Sequence, residues 1–85
     1  SAPEYPPNAV QQGIEGSVRV RFTIGTQGKV TDASVVQATP QGVFDRAALA
    51  AVRRWRFEPV LVNGAVTEAT METTVSFRMN DETKR

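Results

Sequence analysis

The chain has 85 residues, with ten Lys and Arg against nine Asp and Glu, and it contains no cysteine and no histidine. A chain of this length buries about 60 to 65% of its unfolded surface, so we expect one small domain with one core. The formal net charge of +1 excludes a global field that attracts nucleic acid or anionic lipid. The lack of cysteine excludes a disulfide framework, a thiol nucleophile and Cys-based zinc sites.

The longest aliphatic run, residues 47–52, has six residues, whereas a membrane-spanning helix needs about 20. The sequence therefore predicts no membrane-spanning helix. The chain starts with Ser1 and not with methionine, and we expect it to be a fragment or a processed form.

The first predicted element is a short helix. Pro6 and Pro7 exclude a helix before them but suit the first turn of a helix that begins there. Residues 8–12 are predicted to continue this helix for one or two turns, until Gly13 ends it.

A β-hairpin is predicted next. Residues 17–24 alternate strictly between apolar and polar side chains, which indicates a strand with one buried face. Gly25 and Gly28 tolerate positive φ and predict the turn. The return strand is predicted over residues 29–37, and its alternation slips before Val35, so we expect a bulge near Asp32.

A longer helix is predicted over residues 43–56. Its apolar residues recur at i, i+4, i+7 and i+11, the spacing of a helical core stripe, and they are Phe44, Ala48, Ala51 and Trp55. Pro59 prevents the helix from continuing past Glu58.

The remaining residues are predicted to be extended. Asn63-Gly64, inside the apolar segment 60–66, predicts a minor hairpin or a tight crossing. Residues 66–79 alternate again and predict a long third strand. Residues 80–85 contain no apolar anchor, which favours a disordered tail.

These elements predict an α+β domain of two layers, with an N-terminal arm at 1–6, the domain at 7–79 and the tail at 80–85. A crossover helix makes the third strand run in the same direction as the second. The third strand is then antiparallel to the first strand when the two are neighbours. The predicted fold is a three-stranded antiparallel sheet of order 2-1-3, with one long and one short helix on one face.

The third strand would then be an edge strand. About 13 residues would reach about 43 Å, beyond the shorter first strand, so we expect unpaired backbone groups along the outer edge and at an overhanging end. A threonine-rich edge invites an added strand. In the alternative interpretation, Glu72 and Arg78 keep the edge solvated and prevent association.

Enzymatic interpretations find little support. No histidine is present to act as a base, ligand or proton shuttle, and the serines have no activating partner in the sequence. The candidate acids are Asp32, Asp45, Glu58 and Glu68, and they are scattered among predicted turns and helix ends. We predict no catalytic residue, no metal site and no cofactor.

A basic aromatic cluster, residues 53–57 (RRWRF), could in principle stack bases and hold phosphates. We interpret it as structural, because Trp55 continues the apolar stripe and a domain-wide basic surface is missing. Arg19 and Arg21, on the polar face of the first strand, are candidates for contact with peptidoglycan or other anionic groups.

Several segments resemble the signature of the TonB C-terminal domain family. They are residues 44–59 (FDRAALAAVRRWRFEP), Tyr5-Pro6, Glu15-Gly16-Ser17-Val18-Arg19-Val20, Gly28-Lys29-Val30 and Val75-Ser76-Phe77. Their order and gaps match the family, and together they cover nearly the whole chain.

The resemblance implies a periplasmic, non-catalytic domain of an inner-membrane-anchored energy transducer of a Gram-negative bacterium. Such proteins couple the proton-driven ExbB and ExbD complex to outer-membrane transporters for siderophores, haem or cobalamin. The domain grips a short extended peptide of the transporter, the TonB box, along the edge of its last strand.

Carried over to this chain, the partner-binding residues implied by the resemblance are Thr70, Met71, Glu72, Thr73, Thr74, Val75, Ser76, Phe77 and Arg78, together with Tyr5, Pro6 and Asn8. Asn8 stands where some relatives carry a basic residue, and an uncharged amide cannot form the salt bridge to the transporter plug that a basic residue would make. The main alternative is a homodimerising or peptidoglycan-contacting envelope module of the same fold. A nucleic-acid-binding domain would require Arg53, Arg54 and Arg56 to converge on one exposed face.

Overall fold

Two helices and five strands make up the part of the chain that the computed structural model describes, residues 3–79. The tail predicted at 80–85 and the first two residues of the arm lie outside it. In chain order the elements are α1 (Pro7–Gln12), β1 (Gly16–Ile24), β2 (Val30–Thr39), α2 (Asp45–Arg53), β3 (Val60–Val62), β4 (Ala65–Thr67) and β5 (Ala69–Phe77).

The main sheet has the order β2-β1-β5, and both neighbours of β1 are antiparallel to it. β3 and β4 form a separate two-stranded hairpin. The predicted α+β fold and the predicted order of the three long strands are therefore confirmed.

The core lies between one face of this sheet and the helices. Alternation in β1 places Val18, Val20, Phe22 and Ile24 on the buried face. The helices contribute small residues, which let them lie close to the sheet. The buried rings of Phe44 and Phe77 stack with their centroids 4.3 Å apart. The other buried apolar residues are Ala9, Ala33, Ala38, Ala48, Ala51, Val52 and Val75.

The β1–β2 connection confirms the predicted turn. The backbone N–H of Gly25 donates to the carbonyl of Lys29 at 2.7 Å, and the N–H of Gly28 donates to the carbonyl of Gly25 at 3.0 Å. The predicted bulge is at Thr31, beside Asp32, where the register shifts between the pairs Thr23↔Asp32 and Ile24↔Val30.

A second bulge in β2, at Val36, was not predicted. Arg19 pairs with Gln37 and the next residue, Val20, pairs with Val35, so Val36 has no partner in β1. The bulge turns Val35 toward the core, where it is half-buried, and leaves Val36 44% exposed.

Helix α2 is shorter than the predicted 43–56 at both ends, because it begins at Asp45 and ends at Arg53. The N–H groups of Arg54 and Trp55 close the last turn onto Ala51 and Val52. The chain then extends, and the N–H of Phe57 donates to the carbonyl of Gly28 at 2.8 Å.

The early end of α2 has a packing cause. Trp55 and Phe57 both contact the ring of Phe22, with centroids 5.8 Å and 5.7 Å away. Residues two apart lie on nearly opposite sides of a helix but on the same side of an extended chain. Only the extended backbone lets both rings cover Phe22, so Trp55 belongs to the core without belonging to the helix.

The predicted single strand over residues 66–79 is also wrong in its bounds. It is divided at Glu68 into β4 and β5, and β5 has nine residues. Each of them pairs with one residue of β1, from Gly16↔Phe77 to Ile24↔Ala69. The predicted overhanging end is therefore absent from β5. Residues 66 and 67, at the start of the predicted strand, belong to the β3–β4 hairpin, whose turn is Asn63-Gly64 with both φ angles positive.

Candidate functional site

The outer edge of β5 is the candidate site. Within residues 3–79, β5 is the last strand of the main sheet, and no further strand pairs with its outer side. In an antiparallel ladder, alternate residues direct both backbone polar groups to one side. Half of the β5 residues therefore direct their N–H and C=O groups away from β1, along an edge of about 30 Å.

The two edges of this sheet differ in regularity. β2, at the opposite edge, carries both bulges, whereas the β1–β5 register runs without a shift over all nine pairs. Bulges twist an edge and interrupt its hydrogen-bonding groups, which is one way that proteins protect an edge from association. Of the two edges, β5 is the one suited to accept a strand.

The structure places most of the predicted site residues on this strand. Residues 70–77 lie in β5, whereas Arg78 follows its end. Thr70, Glu72, Thr74 and Ser76 share the polar face with β1 residues such as Arg21, their partners in register.

On the helix side of β5, the side chains are buried to different extents. Val75 and Phe77 are buried, Thr73 is half-buried, and Met71 is 48% exposed although it pairs with the buried Phe22. Helix α2 packs over β2 and β1, so it leaves the Met71 end of the edge open. An apolar surface thus adjoins the free backbone groups.

Tyr5 joins the N-terminal arm to the end of β5. Its ring makes edge-to-face contacts with Phe44 and Phe77, at centroid distances of 5.6 Å and 5.7 Å. Its hydroxyl donates to the carbonyl of Ile14 at 2.6 Å. The structure therefore brings Tyr5 and Pro6 beside the last residues of β5, while Asn8 lies exposed on α1.

Replacing Tyr5 with phenylalanine is expected to lower the free energy of unfolding by about 1 kcal/mol, because the ring contacts stay while the Ile14 carbonyl loses its donor. Urea denaturation followed by circular dichroism measures this change. Tyr5→Ala is the matched comparison and should cost clearly more, since it also removes both ring contacts. Equal losses for the two variants would show that the hydroxyl contributes nothing.

The polar face of the sheet carries one ion pair among the described residues. Arg21 Nη2 lies 2.8 Å from Glu72 Oε2, with both side chains more than a third exposed. The Arg21 charge is thus balanced across the β1–β5 ladder. Arg19 faces a small cleft of about 240 Å³ with Ser17, Gln37 and Thr39. Arg19 and Arg21 therefore differ, since only Arg21 has an ion-pair partner within residues 3–79.

In the basic aromatic cluster, residues 53–57, the aromatic side chains and Arg56 have different structural roles. Trp55 and Phe57 cover the core, as described above. The Arg56 guanidinium donates to the carbonyls of Arg54 and Trp55, at 3.1 Å and 2.9 Å. Arg56 therefore stabilises the backbone that follows α2.

A second concave feature is not indicated by the sequence motifs, although the predicted partner-binding residues Tyr5, Pro6 and Asn8 line it. A surface cleft of about 500 Å³ lies between the N-terminal arm and α2. On the helix side it is lined by Arg46 and Ala50 of α2 and by Arg54, which directly follows α2 with helical φ and ψ, and these residues recur every four positions. This spacing marks one face of a helix and is the signal that could have revealed the cleft.

Within residues 3–79, no helix is both long enough and apolar enough to cross a membrane. No group of three or more acidic, histidine or cysteine side chains in this range could hold a metal ion.

Comparison with solved structures supports the fold. The solution NMR structure of the Pseudomonas aeruginosa TonB CTD superimposes with a TM-score of 0.81 at 34% sequence identity, covering 95% of this chain and 82% of that chain. The TonB2 protein of Vibrio anguillarum superimposes with a TM-score of 0.68 at 40% identity, covering 91% and 74%.

Sequence comparison gives the same result. Protein TonB of Yersinia enterocolitica is 37% identical over 82 residues, which are 96% of this chain and 30% of that protein. Protein TonB of Pseudomonas aeruginosa is 42% identical over 64 residues, or 75% of this chain and 19% of that protein. This chain thus spans less than a third of the length of either relative. The family model for the C-terminal part of the Gram-negative bacterial TonB protein matches residues 1–79, and the chain belongs to this family.

Proposed function

We propose that this chain is the periplasmic C-terminal domain of a TonB-like energy transducer, and that it binds an extended peptide of an outer-membrane transporter by strand addition to β5. The observation that carries the proposal is the regular, unpaired outer edge of β5. Main-chain hydrogen bonds would supply affinity, and side-chain contacts would supply selectivity.

The edge also suggests which peptides fit. An added strand places alternate side chains on the helix side of the sheet, where Met71 is half-exposed and Thr73 half-buried. An apolar residue in the peptide beside Met71 would remove that surface from water. The polar face offers hydroxyl groups of Thr70 and Thr74, which suit a polar residue at the intervening positions.

The domain has a mechanical and not a catalytic role in this proposal. In the longer protein, an inner-membrane anchor would join the ExbB and ExbD complex and harvest the proton-motive force. The domain would transmit the resulting pull to the transporter during uptake of a siderophore, haem or cobalamin. A strand paired along its whole length suits this role, because force along the strand loads many hydrogen bonds together.

The test is an NMR titration of the ¹⁵N-labelled chain with a peptide from the N-terminal segment of a transporter of the same organism. We expect amide shifts along residues 70–77 and near Tyr5, with little change at the bulged β2 edge. A peptide with N-methyl groups at alternate residues should bind in only one of its two methylation patterns, because only alternate amides face β5. Absence of shifts at millimolar peptide, with several transporters tried, would contradict the proposal.

A pair of variants checks that the backbone of β5 carries the binding. Thr73 and Thr74 are neighbours, so one of them directs its N–H to β1 and the other directs it outward. Of Thr73→Pro and Thr74→Pro, one should weaken the fold and the other should keep the fold and lose peptide binding. Two folded variants that both bind normally would exclude this edge.

The second candidate is self-association through the same edge, which is favoured by the absence of proline and lysine from β5. Sedimentation at several concentrations separates the two. A reversible dimer must dissociate on dilution, and the peptide should compete with it.

A further inference from the structure

The cleft between the N-terminal arm and α2 is a second concave surface, separate from the β5 edge. The apolar residues that line it are Pro6, Pro7, Val43, Ala47 and Ala50. The volume of about 500 Å³ falls in the range of ordinary ligand sites. The small side chains of the two alanines give the cleft its depth.

Both walls of the cleft are held in place by the core. The arm is fixed by Tyr5, whose hydroxyl bonds to the carbonyl of Ile14 and whose ring packs on Phe44. Helix α2 is fixed by the fully buried Ala48 and Val52. A cleft with walls fixed in this way needs little ordering when a ligand binds, which favours affinity.

The charges at the rim favour an anionic partner. Arg46 and Arg54 both line the cleft, and neither guanidinium forms an ion pair or hydrogen bond with another residue in the described range 3–79. Glu4 is the single acid that lines it, so the rim carries a net positive charge. Guanidinium groups bind carboxylates with two parallel hydrogen bonds.

The spacing of the two arginines defines the ligand further. Eight residues along a helix correspond to about 12 Å, and four residues of an extended peptide span about 13 Å. Residues i, i+2 and i+4 of an extended peptide lie on the same side. Two carboxylates at i and i+4 would therefore meet Arg46 and Arg54, while an apolar side chain at i+2 would face the alanines.

From this geometry we infer that the cleft is a docking site for an acidic peptide segment of a partner protein, with two carboxylates flanking one apolar residue. The site does not use the backbone groups of the β5 edge, because the cleft is lined by helix residues and by the arm, including Tyr5 and Pro6. It gives the domain a second, charge-dependent point of contact with a protein partner.

The test uses the 85-residue chain and the capped peptide Glu-Thr-Leu-Thr-Glu. In an NMR titration we expect saturable amide shifts at Ala47 and Ala50, with affinity that falls as salt increases. Peptides with both Glu replaced by Gln, or with Leu replaced by Gly, should bind more weakly. No shift at either alanine with millimolar peptide would overturn the inference, and so would equal affinity for the Gln peptide.

Variants of matched charge sharpen the test. Arg46→Glu and Arg54→Glu should each weaken binding by about fivefold or more, whereas Arg53→Glu, on the same helix but outside the cleft, should change it by less than about twofold. Glu4→Gln should strengthen binding. The double variant of Arg46 and Arg54 should instead bind the peptide Lys-Thr-Leu-Thr-Lys. An equal effect of Arg53→Glu would mean that only the net charge matters, and the inference would fail.

Discussion

Replacing Phe44 with alanine is expected to remove most of the domain's free energy of unfolding. The Phe44 ring is fully buried and stacks on Phe77 with centroids 4.3 Å apart, and it also contacts the ring of Tyr5. Removal of a buried phenylalanine costs about 3 to 5 kcal/mol. Small domains have total stabilities of about 5 to 15 kcal/mol, toward the lower end at this size.

Urea denaturation and the dispersion of the amide NMR spectrum measure the loss. Phe44→Leu should retain much of the stability, because leucine fills part of the space. Leu61→Ala is the surface control: Leu61 is 62% exposed, and its loss should change stability by less than about 0.5 kcal/mol. A well-folded Phe44→Ala variant would show that the aromatic cluster is not the centre of the core.

Gly28→Ala is expected to destabilise the domain by about 3 to 5 kcal/mol, because three costs combine. Gly28 has φ of +85°, a conformation that alanine rarely adopts. An added Cβ would also lie well inside van der Waals contact with the carbonyl oxygen of Phe57. The clash would separate the β1–β2 turn from the segment after α2. This separation would break the hydrogen bond from the Phe57 N–H to the Gly28 carbonyl.

Gly64→Ala separates these costs. Gly64 has nearly the same φ, +82°, but no atom lies within 4 Å of the position of an added Cβ. Its substitution should cost only about 1 to 2 kcal/mol, the conformational part alone. The difference between the two variants in urea denaturation therefore measures the contact between Gly28 and Phe57. Equal losses would show that this contact is unimportant.

Local sequence determined those elements whose signals lie within a few residues. Proline at the start and Gly13 at the end define α1, and strict alternation defines β1. Gly25 and Gly28 give the β1–β2 turn, and Asn63-Gly64 gives the β3–β4 turn. In the helix and the turns the backbone preference of one or two residues indicates the conformation, and in β1 the period of the side chains does.

The candidate edge was partly predictable. Alternation indicated the strand, and the direction expected from a crossover connection made it antiparallel to β1 once it lay beside β1. The uninterrupted register of β5 and the bulge at Val36 in β2 were not predictable. Val35 and Val36 are both valines, so the sequence does not indicate which of them faces the core.

Tertiary structure alone decided the end of α2, the division of the last strand at Glu68 and the cleft beside the arm. Residues 54–57 directly follow a run of good helix formers, which would favour continuing the helix. The packing of Trp55 and Phe57 against Phe22 requires an extended chain instead. The cleft requires the arm to be held by Tyr5, whose contacts are distant in sequence. Local preferences amount to about 1 kcal/mol or less per residue, whereas burial of one aromatic ring is worth several times more, so packing prevails wherever the two conflict.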